Sequence, residues 1–189
     1  MDMVLQVDAA GVPQNWLSAN DAATLFCNGD VAWSLSPTIA VLHGGWKKSG
    51  ARSTMDIPAI IATKGVSKID LMGIEPPLTR HNDKLFARDR YVCAYCGGGF
   101  HHEKLTREHV VPLSQKGGDV WNNVVSACSP CNSFKRNRTP EQARMPLLYL
   151  PYVPNRYEDF LLRRGGKKIL ADQMEFLLSR IPRGSRCLL

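Results

Sequence analysis

Cys93-Ala94-Tyr95-Cys96 and Cys128-Ser129-Pro130-Cys131 are the two stretches that decide how this chain folds. Each is a Cys-x-x-Cys turn that presents two sulfurs to one metal ion, and two such turns complete the tetrahedral set that structural zinc prefers. A redox dithiol would use a single motif of this kind between a strand and a helix of a βαβ unit, and the sequence has no such context. The four cysteines, Cys93, Cys96, Cys128 and Cys131, are therefore predicted to bind one structural Zn²⁺.

The other two cysteines lack partners at such spacing. Cys27 is predicted to be an isolated buried thiol and Cys187 an isolated exposed one. His101 and His102 follow the first cysteine pair closely and could replace a sulfur as zinc ligands. Because four cysteines already complete the set, we interpret the two histidines as loop residues or phosphate contacts.

Residues 97–127 separate the two cysteine pairs, an interval longer than in a bare zinc ribbon, so a further element is inserted there. Residues 105–112 are typical of a strand, Ser114–Asp119 of a turn-rich loop, and residues 121–128 of a second short strand. Ser129-Pro130 then favours the start of a helix. The predicted order of strand, loop, strand and helix brings Glu108-His109 close to the first turn of that helix.

Four motifs in this order resemble the HNH endonuclease family. They are Tyr91-Val92-Cys93-Ala94-Tyr95-Cys96-Gly97, Glu108-His109-Val110-Val111-Pro112, Trp121-Asn122-Asn123-Val124-Val125 and Cys128-Ser129-Pro130-Cys131-Asn132-Ser133-Phe134-Lys135. The resemblance covers residues 80–144, and Arg88-Asp89-Arg90 also resembles the lead-in of many members. It implies an α+β protein with a ββα-metal module on a structural zinc ribbon, and metal-dependent hydrolysis of phosphodiester bonds in DNA.

The resemblance also implies a role for each signature residue. His109 would take a proton from water, and Glu108, where many members have aspartate, would bind Mg²⁺ or Mn²⁺. Asn123 would orient the histidine through its side-chain amide. Asn132 replaces the last histidine of the signature, and its carbonyl oxygen would join the metal. Lys135, one helical turn later, would neutralise phosphate charge in the active site.

Charge is distributed unevenly along the chain, whose net charge is +7. Residues 1–79 hold five Lys/Arg and seven Asp/Glu, residues 80–144 hold eleven and six, and residues 145–189 hold eight and four. The positive excess after the first third favours a phosphate-bearing partner, and double-stranded DNA is the expected one. The residues expected to contact backbone phosphates are Arg107, Lys116, Lys135, Arg136, Arg138 and Arg144. Trp121 could stack on a base, but packing beside the zinc ribbon is favoured.

The flanking regions carry no motif that indicates a function. Residues 1–77 are predicted to be a small α+β region, with strands at 4–7, 31–35, 39–42 and 59–62 and a helix capped by Ser18. Residues 46–54 are interpreted as an exposed loop, and Pro76-Pro77 as a linker to the module at 80–144.

The last segment, residues 145–189, is predicted to be a helical extension packed on the module. Thr139-Pro140-Glu141-Gln142 fits a capping box with proline at the first helical position. Two further helices are expected at 157–164 and 168–181, separated by Gly165-Gly166.

Composition excludes a membrane protein, since no apolar run approaches the roughly 20 residues of a membrane span. No basic segment precedes an apolar stretch at the start, so a cytoplasmic location is expected. Two other functions remain open from the residues alone. One is a non-catalytic zinc ribbon that binds nucleic acid, and the other is a RING or LIM type of adaptor, although such modules generally use eight ligands for two ions. A homodimer is also left open, because double-strand cutting by one active site often takes two copies.

Overall fold

The computed structural model describes residues 2–65, 75–164 and 168–186, and it is an α+β structure, as predicted. Its strands are β1 (Val4–Asp8), β2 (Pro13–Leu17), β3 (Val31–Trp46), β4 (Arg52–Thr63), β5 (Leu105–His109) and β6 (Val124–Cys128). Its helices are α1 (Ala19–Cys27), α2 (Asp83–Arg88), α3 (Ser129–Lys135), α4 (Pro140–Ala143), α5 (Arg156–Leu162) and α6 (Ala171–Leu178). The chain forms two compact units, one of residues 1–72 and 167–180 and one of residues 73–166 and 181–189.

The first unit is built on a four-stranded sheet with the order β2-β1-β4-β3. Strands β1 and β4 are parallel, and the other two pairs are antiparallel. Val4, Ala22, Ile57 and Ile61 form its buried core, so α1 packs on one face of the sheet. The sheet and α1 make the described part of this unit an α+β structure.

Strand β3 is longer than the sequence predicted. The expected strands at 31–35 and 39–42 are parts of one strand, Val31–Trp46, whose pairing with β4 shifts between Leu35 and Thr38. Pro37 lies at this shift, and proline, which lacks an N–H, is accommodated in strands at such irregularities. The predicted exposed loop is therefore a hairpin turn between Trp46 and Arg52.

Helix α1 begins as predicted and corrects one expectation. Ser18 caps it, since the Ser18 side chain accepts a hydrogen bond from the Asp21 N–H. Cys27 was expected to be buried but is exposed at the last position of the helix. The helix buries Ala22 instead, and Cys27 lies on its outer side. Cys187 lies outside the described residues.

Helix α6 belongs to the first unit, although the whole C-terminal segment was expected to pack on the module at 80–144. The amide of Gln173 is buried and donates hydrogen bonds to the carbonyls of Met3 at 2.7 Å and Ala59 at 2.8 Å. Leu177 is also fully buried. Its amphipathic pattern thus serves a core, but the core is that of the four-stranded sheet.

The second unit has its own core, formed by Leu85, Phe86, Leu105, Trp121 and Val124. Trp121 is 2% exposed, which confirms its expected packing role. Its indole N–H donates to the carbonyl of Pro76 at 2.7 Å. Pro76 is itself buried, so this proline is part of the second unit and not a linker.

A buried ion pair between Arg88 and Asp89 connects α2 to β6 and to Trp121. The guanidinium group of Arg88 donates to both carboxylate oxygens of Asp89, and also to the carbonyls of Trp121 and Val124 at 2.9 and 2.7 Å. The other face of the Asp89 carboxylate accepts the Ser126 N–H at 2.7 Å. Both charges are therefore paired and hydrogen-bonded, the condition under which burial of charge is tolerated.

Two helices of the second unit, α4 and α5, start at side-chain caps. Thr139 and Gln142 form the predicted capping box of α4, which is only four residues long. Asn155 and Glu158 form another capping box at the start of α5, which begins one residue before the predicted helix at 157–164 and ends two residues before its end. None of the described helices is long and apolar enough to cross a membrane.

Candidate active site

Two polar regions lie at opposite ends of the β5–β6 hairpin. Leu105 pairs with Cys128 at one end of the ladder, and His109 pairs with Val124 at the other. A strand advances about 3.3 Å per residue, so the two ends are roughly 13 Å apart. We name them the cysteine end, with Cys93, Cys96, Cys128 and Cys131, and the histidine end, with Glu108, His109, Asp119 and Asn123.

The cysteine end brings the two Cys-x-x-Cys pairs together. The four sulfurs all lie within 4.8 Å of one another, and those of Cys96 and Cys128 are 3.9 Å apart. Zinc–sulfur bonds of about 2.3 Å place the corners of a tetrahedron about 3.8 Å apart. The four side chains therefore fit one tetrahedral ion. His101, His102 and Glu103 form a separate, fully exposed group, so neither histidine replaces a sulfur in this cluster.

The thiols of this cluster differ in their tendency to ionise. Burial, the largest influence, favours the neutral thiol of Cys93, but hydrogen bonds to the backbone of Cys128, Cys96 and Tyr95 together outweigh it and lower the pKa of Cys93 to about 7. Burial raises the pKa of Cys131, and its contact with the Cys128 side chain acts in the same direction. A bound cation would favour the thiolate form of these cysteines, because cysteine thiols lose their protons when they bind a metal ion.

Helix α3 runs from the cysteine end along one face of the hairpin. The side-chain amide of Asn132 donates to the hydroxyl of Thr106 at 2.8 Å, and one turn later the ammonium group of Lys135 donates to Glu108 at 2.5 Å. Thr106 and Glu108 alternate along β5 and so share this face. The helix thereby places Asn132 and Lys135 beside successive residues of the same strand face.

Lys135 corrects an expectation. Its side chain is completely buried, and its ammonium group also donates to the carbonyl of His109 at 2.8 Å. A group in this position is engaged within the protein and does not offer its charge to phosphate. The burial arises because the face of α3 that carries Lys135 packs on β5. Lys135 instead holds the carboxylate of Glu108, whose side chain is 8% exposed.

His109 lies on the opposite face of β5 from Glu108, by strand alternation. Its side chain is 19% exposed, and its Nε2 atom is 3.0 Å from a carboxylate oxygen of Asp119. Asp119 also accepts two hydrogen bonds from the guanidinium group of Arg107, at 2.8 and 3.0 Å. Arg107, two residues before His109, therefore shares its partner. It was expected to contact phosphate, but its side chain is only 13% exposed.

The chemistry of Asp119 follows from these two neighbours. Partial burial favours its neutral form, but hydrogen bonds from His109 and Arg107 outweigh burial and lower the pKa of the carboxyl group. Asp119 is therefore ionised at neutral pH and accepts hydrogen bonds only. Arg107 is held in turn by the Asn82 side chain at 3.0 Å and by the carbonyl of Thr79.

Asn123 organises the loop that follows His109. Its carbonyl oxygen accepts the Val111 N–H at 2.9 Å, and its amide donates to the carbonyls of Val111 at 3.0 Å and Gly118 at 2.8 Å. The backbone carbonyl of Asn123 also accepts the N–H of Val110 at 2.8 Å. The side chain was expected to orient the imidazole directly. It is bonded to the loop backbone instead, and so acts on His109 through the adjoining chain.

Gly117 allows this loop to close. A Cβ atom at this position would lie 1.8 Å from the carbonyl oxygen of Val111 and 2.9 Å from the Asn123 amide nitrogen. Both distances are far shorter than ordinary contacts, so only glycine fits here. Gly118, its neighbour, has no such restriction, because the nearest atoms to its Cβ would be Val120 methyls at 3.6 Å or more.

Three of the predicted phosphate-binding residues are exposed directly after short helical segments, which are a 3-10 turn at Leu113–Gln115, α3 and α4. They are Lys116, Arg136 and Arg144, and each has a positive φ, of 66°, 53° and 54°. Glycine is the residue that usually occupies such positions, because a side chain is strained there. Arg138 is partly buried, and its guanidinium group is bonded to the carbonyls of Phe134 and Lys135.

The sequence interpretation missed Asp119 as a site residue. It lies next to a Gly-Gly pair in a loop, where an aspartate is usually a turn former, and neither spacing nor periodicity places it beside His109. The buried pair Arg88–Asp89 was noted only as part of a lead-in. Its role depends on carbonyls more than thirty residues later in the chain, which no local pattern reveals.

Comparison with known proteins supports the resemblance seen in the motifs. No curated protein and no solved structure matches the chain. The described geometry and the sequence motifs nevertheless agree with one family, whose model extends from the first cysteine pair to Leu148. Residues 93–148 match the family described as HNH endonuclease.

Proposed function

We propose that this protein is a metal-dependent endonuclease that hydrolyses phosphodiester bonds in DNA, with the histidine end of the hairpin as its active site. The observation that carries the proposal is the match of residues 93–148 to the HNH endonuclease family, taken together with where the hairpin places the signature residues. His109 and Glu108 lie at the end of β5 that is remote from the cysteines. The module would thus be a ββα-metal fold on a zinc ribbon.

Structural zinc is the ion proposed for the cysteine end. Four sulfurs that converge to within 4.8 Å match zinc in number and in ligand type. Cys93 and Cys96 belong to a loop, whereas Cys128 ends β6 and Cys131 lies in the first turn of α3. An ion bound to all four would therefore fix α3 against the hairpin. The matched segment has 56 residues and buries few apolar side chains, so the bound ion would supply much of its folding energy.

A second ion, Mg²⁺ or Mn²⁺, is proposed between Glu108 of the histidine end and Asn132 of α3, on the face of β5 that α3 covers. Lys135 occupies one carboxylate oxygen of Glu108, but the other carboxylate oxygen and the side-chain Oδ1 of Asn132 accept no hydrogen bond among the described residues. Oxygen ligands of this kind suit a hard divalent cation that keeps positions for water and phosphate. Bound there, the ion would polarise the scissile phosphate and stabilise the departing oxygen.

The side chains themselves would perform three tasks. His109, partly exposed and with only its Nε2 atom hydrogen-bonded among the residues that the structure describes, would take the proton of the attacking water. Lys135 would hold the Glu108 carboxylate in place through its 2.5 Å contact. Asn123 and Gly117 would fix the loop that follows His109, next to the proposed substrate.

Lys116, Arg136 and Arg144 are proposed to contact the phosphate backbone. Left-handed backbone at a residue with a long side chain costs on the order of 1 kcal/mol or more, and such strain concentrates at functional sites. All three are exposed cations with positive φ inside the segment that matches the family, which supports this role. Contacts of this kind position a duplex without reading its sequence.

A non-catalytic zinc ribbon that binds nucleic acid is the second candidate function. The observation that favours it is the Lys135–Glu108 ion pair, because an ammonium group already neutralises the carboxylate proposed as a metal ligand. The two candidates differ in whether binding is followed by hydrolysis.

Plasmid nicking tests the proposal. Supercoiled DNA is incubated with the zinc-loaded full chain and Mg²⁺ or Mn²⁺, and the variants His109→Ala and His43→Ala are compared. His43 is an exposed histidine of the first unit and serves as the matched control. We expect nicking by the wild type and by His43→Ala, and its loss in His109→Ala with DNA affinity retained. Binding without nicking in all three proteins would favour the second candidate.

A further inference from the structure

Asp119 connects the two residues that share one face of β5. Arg107 and His109 are two positions apart on this strand, and the Asp119 carboxylate contacts both. One of its oxygens is 3.0 Å from the His109 Nε2 atom, and its two oxygens accept hydrogen bonds from the same Arg107 nitrogen. The guanidinium group of Arg107 thus fixes the carboxylate that also contacts the His109 imidazole.

Arg107 is itself anchored on the side away from Asp119. Its Nε atom donates to Asn82, and its second terminal nitrogen donates to the carbonyl of Thr79. Three of its N–H groups therefore have partners in the protein, and the side chain is mostly buried. An exposed ion pair contributes little as a rule, because two mobile side chains must be ordered to form it. Here the cation is already ordered, so the position of the carboxylate is defined.

We infer that Asp119 is a positioning residue for His109, whose Nε2–H it accepts, so that the lone pair of the imidazole lies on Nδ1. In a neutral imidazole one nitrogen carries the proton and the other is basic, and the partner of the first decides which is which. The ionised Asp119 carboxylate can only accept, so it selects the tautomer with the proton on Nε2. The role of this tautomer in proton transfer rests on the proposed function.

The same contact fixes the ring orientation. The backbone of His109 is held in the ladder opposite Val124, and its carbonyl accepts from Lys135. The imidazole could then still rotate about its side-chain bonds, and the contact with Asp119 prevents this rotation. Nδ1 would therefore face the space in which the attacking water is deprotonated, with the same geometry in every turnover.

Nitrogen-15 NMR of the histidine side chains tests this inference without any need for activity. The zinc-loaded full chain is studied near pH 7.5, and the His109 signals are identified by their loss in His109→Gln. We expect a protonated Nε2 and an unprotonated Nδ1 in the wild type. In Asp119→Ala we expect a mixture of the two tautomers, and in Asp119→Glu a partial return to the wild-type signals.

The kinetic counterpart uses the same variants in the nicking assay. Loss of a group that orients a catalytic side chain costs about 10–100-fold in activity. We expect this loss in kcat for Asp119→Ala with KM nearly unchanged, and partial rescue in Asp119→Glu. Asp83→Ala is the matched control, because Asp83 is an exposed aspartate at the start of α2 in the same unit.

Two results would overturn the inference. One is a wild-type His109 that carries its proton on Nδ1, and the other is an Asp119→Ala protein whose His109 signals do not change. Failure of the proposed function is distinguishable from both, since absence of nicking in every protein would leave the tautomer readout intact.

Discussion

The two ends of the β5–β6 hairpin differ in how completely their polar groups are satisfied within the protein. At the cysteine end, four sulfurs converge on one another, and Cys93 and Cys128 are buried. At the histidine end, His109 is partly exposed, and one carboxylate oxygen of Glu108 accepts no hydrogen bond among the described residues. A closed ligand set is typical of structural metal sites and an open one of catalytic sites. One short hairpin can thus join a scaffold to a reactive site.

The largest effect is expected at the cysteine end. Cys128→Ser removes one of the four sulfurs, and structural zinc contributes on the order of 10 kcal/mol to the folding of small domains. We expect the second unit to unfold and zinc to be lost, as measured by circular dichroism and metal analysis. Cys27→Ser is the matched control, because Cys27 is exposed and lies outside the cluster. A folded, active Cys128→Ser protein would contradict the structural role of this end.

The next largest effect is expected at the buried ion pair between Arg88 and Asp89. Arg88→Met leaves the buried Asp89 carboxylate without its main partner, a change that costs about 3–5 kcal/mol in other proteins. We expect this loss in the free energy of urea unfolding, with zinc retained in the folded protein. Arg90→Met, at the exposed neighbouring arginine, should cost less than about 0.5 kcal/mol. Equal stability of the two variants would show that the ion pair does not support the hairpin.

A smaller change separates the loop at the histidine end from the scaffold. Gly117→Ala forces a Cβ against the Val111 carbonyl, and overpacking of this kind costs about 1–3 kcal/mol. We expect nicking to fall sharply while zinc content stays at one per chain. Gly118→Ala introduces only ordinary contacts and should behave like the wild type. Similar activity of the two variants would mean that the loop does not shape the site.

The smallest effect is expected for Arg136→Gly, in which the free energy of unfolding and the DNA affinity should change in opposite directions. Arg136→Gly relieves a backbone strain of about 1 kcal/mol, so the free energy of unfolding should rise slightly or stay level. DNA affinity should fall, and the slope of log affinity against log salt should decrease by about 1. Arg90→Gly relieves a similar positive φ of 57° outside the proposed DNA-binding surface. Equal DNA affinity of the two variants would remove Arg136 from that surface.

Features encoded by neighbouring residues were predictable from the sequence. The two Cys-x-x-Cys pairs indicated one four-sulfur cluster, and helix starts were indicated by Ser18 as a cap and by the capping box at Thr139. Each of these rests on a spacing of three residues, which local geometry fixes. The order of strand, loop, strand and helix likewise follows from turn residues between short apolar runs.

Features that depend on distant contacts were not predictable. The helical position of Lys135 was correct, but its burial depends on β5 packing over that face of α3. Asp119 and His109 meet because the nine residues between them fold back, and Gly117 permits this. Cys27 is exposed because α1 buries a different face. In each case one strand or loop far along the chain decides the environment.

Manganese binding to the zinc-loaded protein tests most directly whether the hairpin holds two distinct metal centres. Electron paramagnetic resonance measures free Mn²⁺ during a titration of the wild type and of Glu108→Gln, with zinc content determined at the end. We predict one Mn²⁺ bound per wild-type chain with zinc retained, and its loss in Glu108→Gln. Equal Mn²⁺ binding by the two proteins, or Mn²⁺ bound only as zinc is released, would contradict the account.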